Sequence, residues 1–267
     1  MGETGVFGEY ARYYDLLYKD KDYGAEADYI HRLIKRWRPG AASILELGSG
    51  TGKHACLLAD RGYAVHGIER SCEMLAGAEQ RAQERQRADP MWRSPTYSQG
   101  DIRTARLART FDVAISLFHV ISYQVKNEDV LAAFKTARAH LDEGGLFLFD
   151  VWYGPAVLTD RPAVRIKRMA DDRIEVTRIT EPAMHPNESV VDVNFHVFVR
   201  DNATGEVTET RETHCMRYFF RTEISLLAQA SGFSFAHGEE WLTAAPLGCQ
   251  TWGASFALQA QEQPARS

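Results

Sequence analysis

The sequence predicts an α/β protein built on a doubly wound, mostly parallel sheet, with an antiparallel β insertion and an N-terminal helical segment. Three observations predict it. Short apolar runs alternate with helical periodicities from about residue 43 to residue 151. A glycine-rich turn stands directly after the first of those runs. After Trp152 the texture changes to period-two alternation, the pattern of half-buried antiparallel strands. Strand and helix alternating this regularly imply right-handed βαβ units and therefore a parallel sheet.

The elements follow in order. Tyr13, Tyr14, Leu17 and Tyr18, then Ile30, Leu33, Ile34 and Trp37, recur at helical spacings on either side of Lys19-Asp20-Lys21-Asp22. This predicts two helices with a charged turn between them, the second stopped by Pro39-Gly40. Ser43-Ile44-Leu45-Glu46-Leu47 suits a strand buried on both faces. A helix starts near Lys53 and is terminated at Gly62, and Tyr63 to Glu69 forms the next strand. A polar helix opens on Ser71 as its cap, and Tyr97 to Asp101 marks a third strand. Phe111 to Leu117, a helix over 127–141 and the strand Leu146 to Val151 complete the alternation. Residues 164–217 read as an antiparallel meander turning at Asn202 to Glu206. A helix capped by Thr222 follows, and Phe233 to Trp241 and Thr251 to Leu258 return as the last strands. The expected division is a lid over 1–38, a core over 39–163 and 218–260, and an insertion over 164–217.

A chain of 267 residues with 45% hydrophobic residues is large enough to bury a core of this kind. A net charge of -5 offers no long-range pull on phosphate backbones, so a small molecule is favoured over nucleic acid. Cys56, Cys72, Cys215 and Cys249 are scattered, with no close pair for a metal or a redox motif, and read as mostly buried thiols. No run approaches the roughly 18 apolar residues of a membrane span. A cytoplasmic protein is expected, with no metal and no membrane partner, and a homodimer is left open.

The turn Glu46-Leu47-Gly48-Ser49-Gly50-Thr51-Gly52 separates three nucleotide motifs. A P-loop needs glycine where Leu47 stands and Ser or Thr where His54 stands. The dinucleotide fingerprint needs glycine where Lys53 stands. What remains is an acid two residues before G-x-G-x-G, between a buried strand and a helix. Glycines let the turn approach a ligand, and the helix N-terminus offers N–H groups to a carboxylate, so an amino acid tail fits, with Glu46 as its counter-charge. Glu69 closes the second strand at about the distance from which an acid reaches ribose hydroxyls. Asp101 follows the third strand, where it can accept an adenine amino group while Ile102 lies on the ring.

These segments, with Gly67-Ile68-Glu69, Met74-Leu75, Gly100-Asp101-Ile102, Phe111-Asp112 and Leu141-Asp142-Glu143-Gly144-Gly145, resemble the class I S-adenosylmethionine-dependent methyltransferases over residues 40–152. The resemblance implies a Rossmann-like fold, S-adenosyl-L-methionine as cofactor, and Gly48, Gly50, Gly52, Glu46, Glu69, Arg70, Met74, Asp101, Ile102 and Leu117 around it. Tyr13-Tyr14-Asp15-Leu16-Leu17-Tyr18 with Lys21-Asp22-Tyr23, and the antiparallel insertion, are similar to enzymes that N-methylate nucleotide-linked amino sugars. In that family the N-terminal segment folds over the cofactor, which carries Tyr14 and Tyr23 over as lid contacts. The family's histidine near the end of the Ser116 to Gln124 segment is here Tyr123, and His119 lies earlier.

Methyl transfer from a sulfonium needs two oriented reactants in a dry site and no covalent nucleophile. His119, just past the strand ending at Leu117, is the first candidate for a base or an orienting hydrogen bond, with Tyr14 and Tyr123 beside it as catalytic candidates. Tyr14, Tyr123, Trp152 and Tyr153 are candidates to wall the acceptor. His214 and Trp241 are expected to reach it, and Arg168 or Arg217 to meet a nucleotide-sugar phosphate; each equally suits a core or surface position. The competing classes are an O-methyltransferase, a cofactor-binding protein without turnover, and an NAD-dependent oxidoreductase.

Overall fold

The computed structural model describes residues 16–262. The main sheet runs in the order β3-β2-β1-β4-β5-β11-β10, from Thr96–Gln99 (β3), Ala64–Glu69 (β2), Ser43–Leu47 (β1), Phe111–Ser116 (β4), Leu141–Tyr153 (β5), Gly253–Ala260 (β11) and Phe233–Glu240 (β10). The first five are mutually parallel, and β11 runs antiparallel to both its neighbours. Helices Tyr23–Trp37 (α1), Lys53–Ala59 (α2), Cys72–Ala88 (α3), Asn127–Ala139 (α4), Gly154–Thr159 (α5) and Arg221–Ala230 (α6) connect or flank the strands.

The alternation of each strand sorts its side chains into two cores. Ile44, Val113, Ile115, Leu146 and Leu148 point to the side covered by α1 and α2, where they meet Ile30, Ile34 and Leu58. Leu45, Leu47, Ala114, Phe147 and Phe149 point to the other side, against Phe134 and Ala137 of α4 and Ile224 of α6. Central strands buried on both faces explain why these runs are apolar throughout.

Two boundaries differ from the sequence reading. Asp142 to Gly145, taken as the end of a helix, lie within β5: Phe111 pairs with Leu141 but Val113 pairs with Leu146, so the additional residues form an irregularity in the strand, and Gly144 takes φ +69. Thr222 is not the cap of the last helix. That helix begins at Arg221, and the Glu223 carboxylate accepts the Phe220 N–H at 3.3 Å, so the cap position lies two residues earlier. Of the four cysteines only Cys56 is buried; the other three are exposed.

Arg165–Ala170 (β6), Ile174–His185 (β7), Val190–Asp201 (β8) and Val207–Phe219 (β9) form an antiparallel sheet. It joins the main sheet through one short parallel contact, Trp152 and Tyr153 of β5 against Tyr218 and Phe219 of β9. Leu17 and Tyr18 pack on its inner face with Val176, Val197 and Phe195. Among the described residues no helix is long and apolar enough to cross a membrane.

A polar cluster lies beneath the turn that follows β1. Burial alone would raise the Glu26 carboxyl, but His54 at 2.7 Å and the Lys21 ammonium hold it near pKa 2. Glu46 has no such support. It is 1% exposed, its Oε2 has no hydrogen-bond partner, and burial, with repulsion from Glu69, pushes its pKa up to about 8.

An acid held protonated in the folded state but ionised in the unfolded chain costs stability as pH rises from its ordinary value to its folded one. For Glu46 that window runs from 4.5 to about 8. Urea denaturation across this range is therefore expected to show Glu46→Gln gaining on the wild type as pH rises, with the difference levelling off above it. A difference that stays flat with pH would refute the assignment.

Candidate active site

The turn between β1 and α2 is left-handed at three glycines, with φ +79 at Gly48, +54 at Gly50 and +74 at Gly52. At Gly52 a Cβ would come within 2.5 Å of the Tyr97 hydroxyl, so close packing excludes any side chain. At Gly50 the nearest atom to an added Cβ is Met74 Sδ at 3.9 Å; there the backbone conformation, not a neighbour, demands glycine and leaves open space above the turn. The Gly50 N–H donates to Glu69 Oε2 at 2.8 Å, and the Ser71 N–H donates to Glu69 Oε1 at 2.8 Å. Glu69 at the end of β2 thus fixes the turn to the start of α3.

Above the turn lies a cavity of about 960 Å³. That is near the upper end of the roughly 300–1,000 Å³ of small-molecule sites, enough for two reactants side by side. At one end it is lined by Gly48, Gly50, Glu69, Arg70 and Met74, with Asp101, Ile102 and Leu117 beyond them. Tyr23 lines it too, its ring 5.1 Å from His54 and 4.7 Å from the Lys53 ammonium. Asp101 is gripped by the Arg103 guanidinium through Nε at 2.9 Å and Nη2 at 2.6 Å, which holds its carboxyl below the usual range; Arg103 also reaches Asp129 at 3.1 Å.

The other end is walled by Phe118, His119, Tyr123, Trp152, His214 and Met216. Phe118 and His119 both take left-handed backbone, φ +64 and +61, a conformation that costs an aromatic residue free energy. The compensation comes from Asp150, a buried acid on β5, whose carboxylate accepts the His119 N–H at 3.1 Å. Its Oδ2 also lies 2.6 Å from His119 Nδ1, although at an angle outside hydrogen-bond geometry. The His119 ring stands edge-on to Trp152 at 6.3 Å.

Several expected residues lie elsewhere. Glu46 sits under the turn, outside the lining and protonated at neutral pH, so it is not a counter-charge. Gly52 shapes the turn from behind. Tyr153 is buried in the core beneath α6. Arg168 lies exposed on β6, and Arg217 is consumed by the Val125 carbonyl at 3.0 Å, the Asn127 side chain at 2.7 Å and Glu223, so neither lines the cavity. Trp241 donates to Glu26 at 3.3 Å and meets the Tyr29 ring edge-on at 5.0 Å, outside the cavity lining. Tyr14 falls outside the described residues. Sequence reasoning missed Asp150, an acid within the apolar half of β5, and the cavity residues Tyr18, Phe118, Phe195 and Met216.

Residues 44–145 match the family described as a methyltransferase domain. The chain is 29% identical, over 90% of its length and 94% of the relative's, to dTDP-3-amino-3,4,6-trideoxy-alpha-D-glucopyranose N,N-dimethyltransferase of Streptomyces venezuelae. The crystal structure of Streptomyces venezuelae DesVI superposes with a TM-score of 0.74 at 26% identity, covering 95% of this chain and 98% of that one. An S-adenosylmethionine-bound amino pentose methyltransferase from Micromonospora echinaspora gives 0.72 at 25% identity, covering 98% and 100%. Sequence, fold and relatives agree: this chain is a class I S-adenosyl-L-methionine-dependent methyltransferase, and among such enzymes it resembles those that methylate amino sugars.

Proposed function

We propose that the enzyme N-methylates a nucleotide-linked amino sugar. The observation that carries this reading is the single cavity, in which the glycine turn and its strand-end acids open directly onto an acceptor wall of His119, Tyr123, Trp152 and His214. It is supported by relatives whose names specify amino sugar acceptors and whose likeness extends through the antiparallel sheet as well as the core.

S-adenosyl-L-methionine supplies a methyl group already activated on sulfur, whose S–C electron pair stays on sulfur as the acceptor's lone pair forms the new bond. The chain's residues supply position and dryness. The open face above Gly50 suits the amino acid tail. A carboxylate has about four lone-pair sites, and the two amide bonds to Glu69 leave others for ribose hydroxyls. Asp101 and Ile102 take the adenine in the same way, with Arg103 keeping the acid ionised. Tyr23 closes the site from α1, and the segment 164–217 serves as the acceptor-facing roof over the core. His119, anchored by Asp150, orients the acceptor nitrogen, while Trp152 and Tyr123 exclude water.

Labelled methyl transfer to a panel of dTDP- and GDP-linked amino sugars is expected, with no transfer to the matching hydroxy sugars; transfer confined to a hydroxyl would overturn the N-methyl reading. Gly50→Val is expected to weaken cofactor binding in calorimetry at least tenfold, about 1.4 kcal/mol, through backbone strain and lost space. Normal affinity in that variant would remove the assigned site. His119→Ala should leave cofactor affinity unchanged and lower kcat by about 10- to 100-fold through lost orientation; an unchanged kcat would take His119 out of the reaction.

A further inference from the structure

Buried strand positions normally carry apolar residues, yet the inward-facing side of β9 presents Glu212, His214 and Met216 in succession. Glu212 is 5% exposed and His214 3%. A buried acid–histidine pair is poor support for stability, because desolvation offsets the attraction between its members. Its position is informative: His214 and Met216 line the acceptor end of the cavity, and Glu212 lies behind them.

The three polar groups are strung in order. Tyr123 Oη lies 2.9 Å from His214 Nδ1, and His214 Nε2 lies 3.1 Å from Glu212 Oε2. A carboxylate only accepts, so the Nε2 nitrogen carries the hydrogen and Nδ1 presents a lone pair. Tyr123, which lines the cavity, therefore donates its hydroxyl hydrogen to Nδ1. Burial, with Tyr18 and Glu212 adding to it and Arg178 opposing, pushes the Tyr123 hydroxyl above its ordinary value, which keeps it protonated for that bond. Phe195 packs against the imidazole at 4.8 Å with its ring tilted by 54°.

Resting on the methyltransferase reading of this cavity, we propose that Tyr123, His214 and Glu212 form a relay that removes the proton released by the acceptor during methyl transfer. As the new N–C bond forms, the acceptor N–H proton passes to Tyr123 Oη, and the Tyr123 hydroxyl proton passes to His214 Nδ1. The ring becomes an imidazolium held against Glu212, the methylated amine leaves neutral, and the ring returns its proton to solvent after product release. Tyr123 is the group that touches the acceptor; His214 and Glu212 act through it. His119, on the opposite side, holds the acceptor without having to take its proton.

The experiment joins kinetics on the full chain, with a dTDP-linked amino sugar and labelled S-adenosylmethionine, to nitrogen NMR of the His214 ring. Tyr123→Phe and Glu212→Gln are each expected to lower kcat about 100-fold with acceptor KM and cofactor affinity within about twofold. Glu209→Gln, on the same strand as Glu212 but altering only the exposed contacts with His196 and Arg211, is expected to leave kcat unchanged. The wild-type ring is expected in its Nε2–H form at neutral pH. An Nδ1–H ring, an unchanged kcat in either relay variant, or an equal loss in Glu209→Gln would overturn the relay. If no amino sugar is methylated, the acceptor assignment fails, and the ring tautomer of the wild type alone decides between keeping the relay and discarding it.

Discussion

One carboxylate holds the floor of the site together. Glu69 accepts the Gly50 N–H from the turn after β1 and the Ser71 N–H from the start of α3, so two loops from separate strand ends are closed on a single group. Bonds of this kind are worth about 1.5–3 kcal/mol each. The donors cluster at a helix start, where a negative group is favoured, since Ser71 also caps α3 by accepting the Met74 N–H. The arrangement also decides the state of its neighbour. Glu46 lies close enough to feel Glu69 but takes none of those N–H groups, so it is the one that stays protonated. Of two acids a strand apart, the one that accepts two backbone N–H groups lines the cavity, and the other lies beneath it without them.

The parts of the site that could be read from the sequence are those whose meaning is local. The glycine turn, Glu69 with Arg70, Asp101 with Ile102, and Leu117 with His119 all occupy strand ends, and once the strands are located their cavity positions follow. The residues that were misplaced share a different property: a choice of neighbour made by distant chain. Arg217 looks like a phosphate ligand until the loop into α4, the first residue of α4 and the start of α6 supply Val125, Asn127 and Glu223 around it. Tyr153, expected to wall the acceptor, packs into the core instead, and Trp241, expected to reach the acceptor, follows the end of β10 and donates to Glu26. Arg168 lies on the outermost strand of the antiparallel sheet, where alternation shows which residues share a face but not whether anything covers that face. Asp150 was legible as a residue and not as a part, because its role depends on a backbone reversal at Phe118 and His119 that neither residue's propensity favours.

That reversal is what lets one site draw on two sheets. After β4 the chain turns through two left-handed residues into the 3-10 segment Val120–Tyr123, and Ser122 accepts the Trp152 N–H at 3.2 Å, tying the segment to the end of β5. Trp152 is also where β5 leaves the main sheet and meets β9, two residues being enough to fix the antiparallel sheet over the cavity. Tyr123 is thereby brought to His214 although 91 positions separate them in sequence. The division of labour follows from this junction. The glycine turn, Glu69 and Asp101 are fixed by the ends of the parallel strands, whose register is locked by cores on both faces. The roof contributed by Val193, Phe195, His214 and Met216 comes from β8 and β9, which are half-buried and can change on their cavity side without disturbing the glycine turn. The wall that β8 and β9 give the cavity can therefore vary independently of the strand ends, and an exchange of their inward-facing residues reshapes that wall while leaving the glycine-turn half of the cavity as it is.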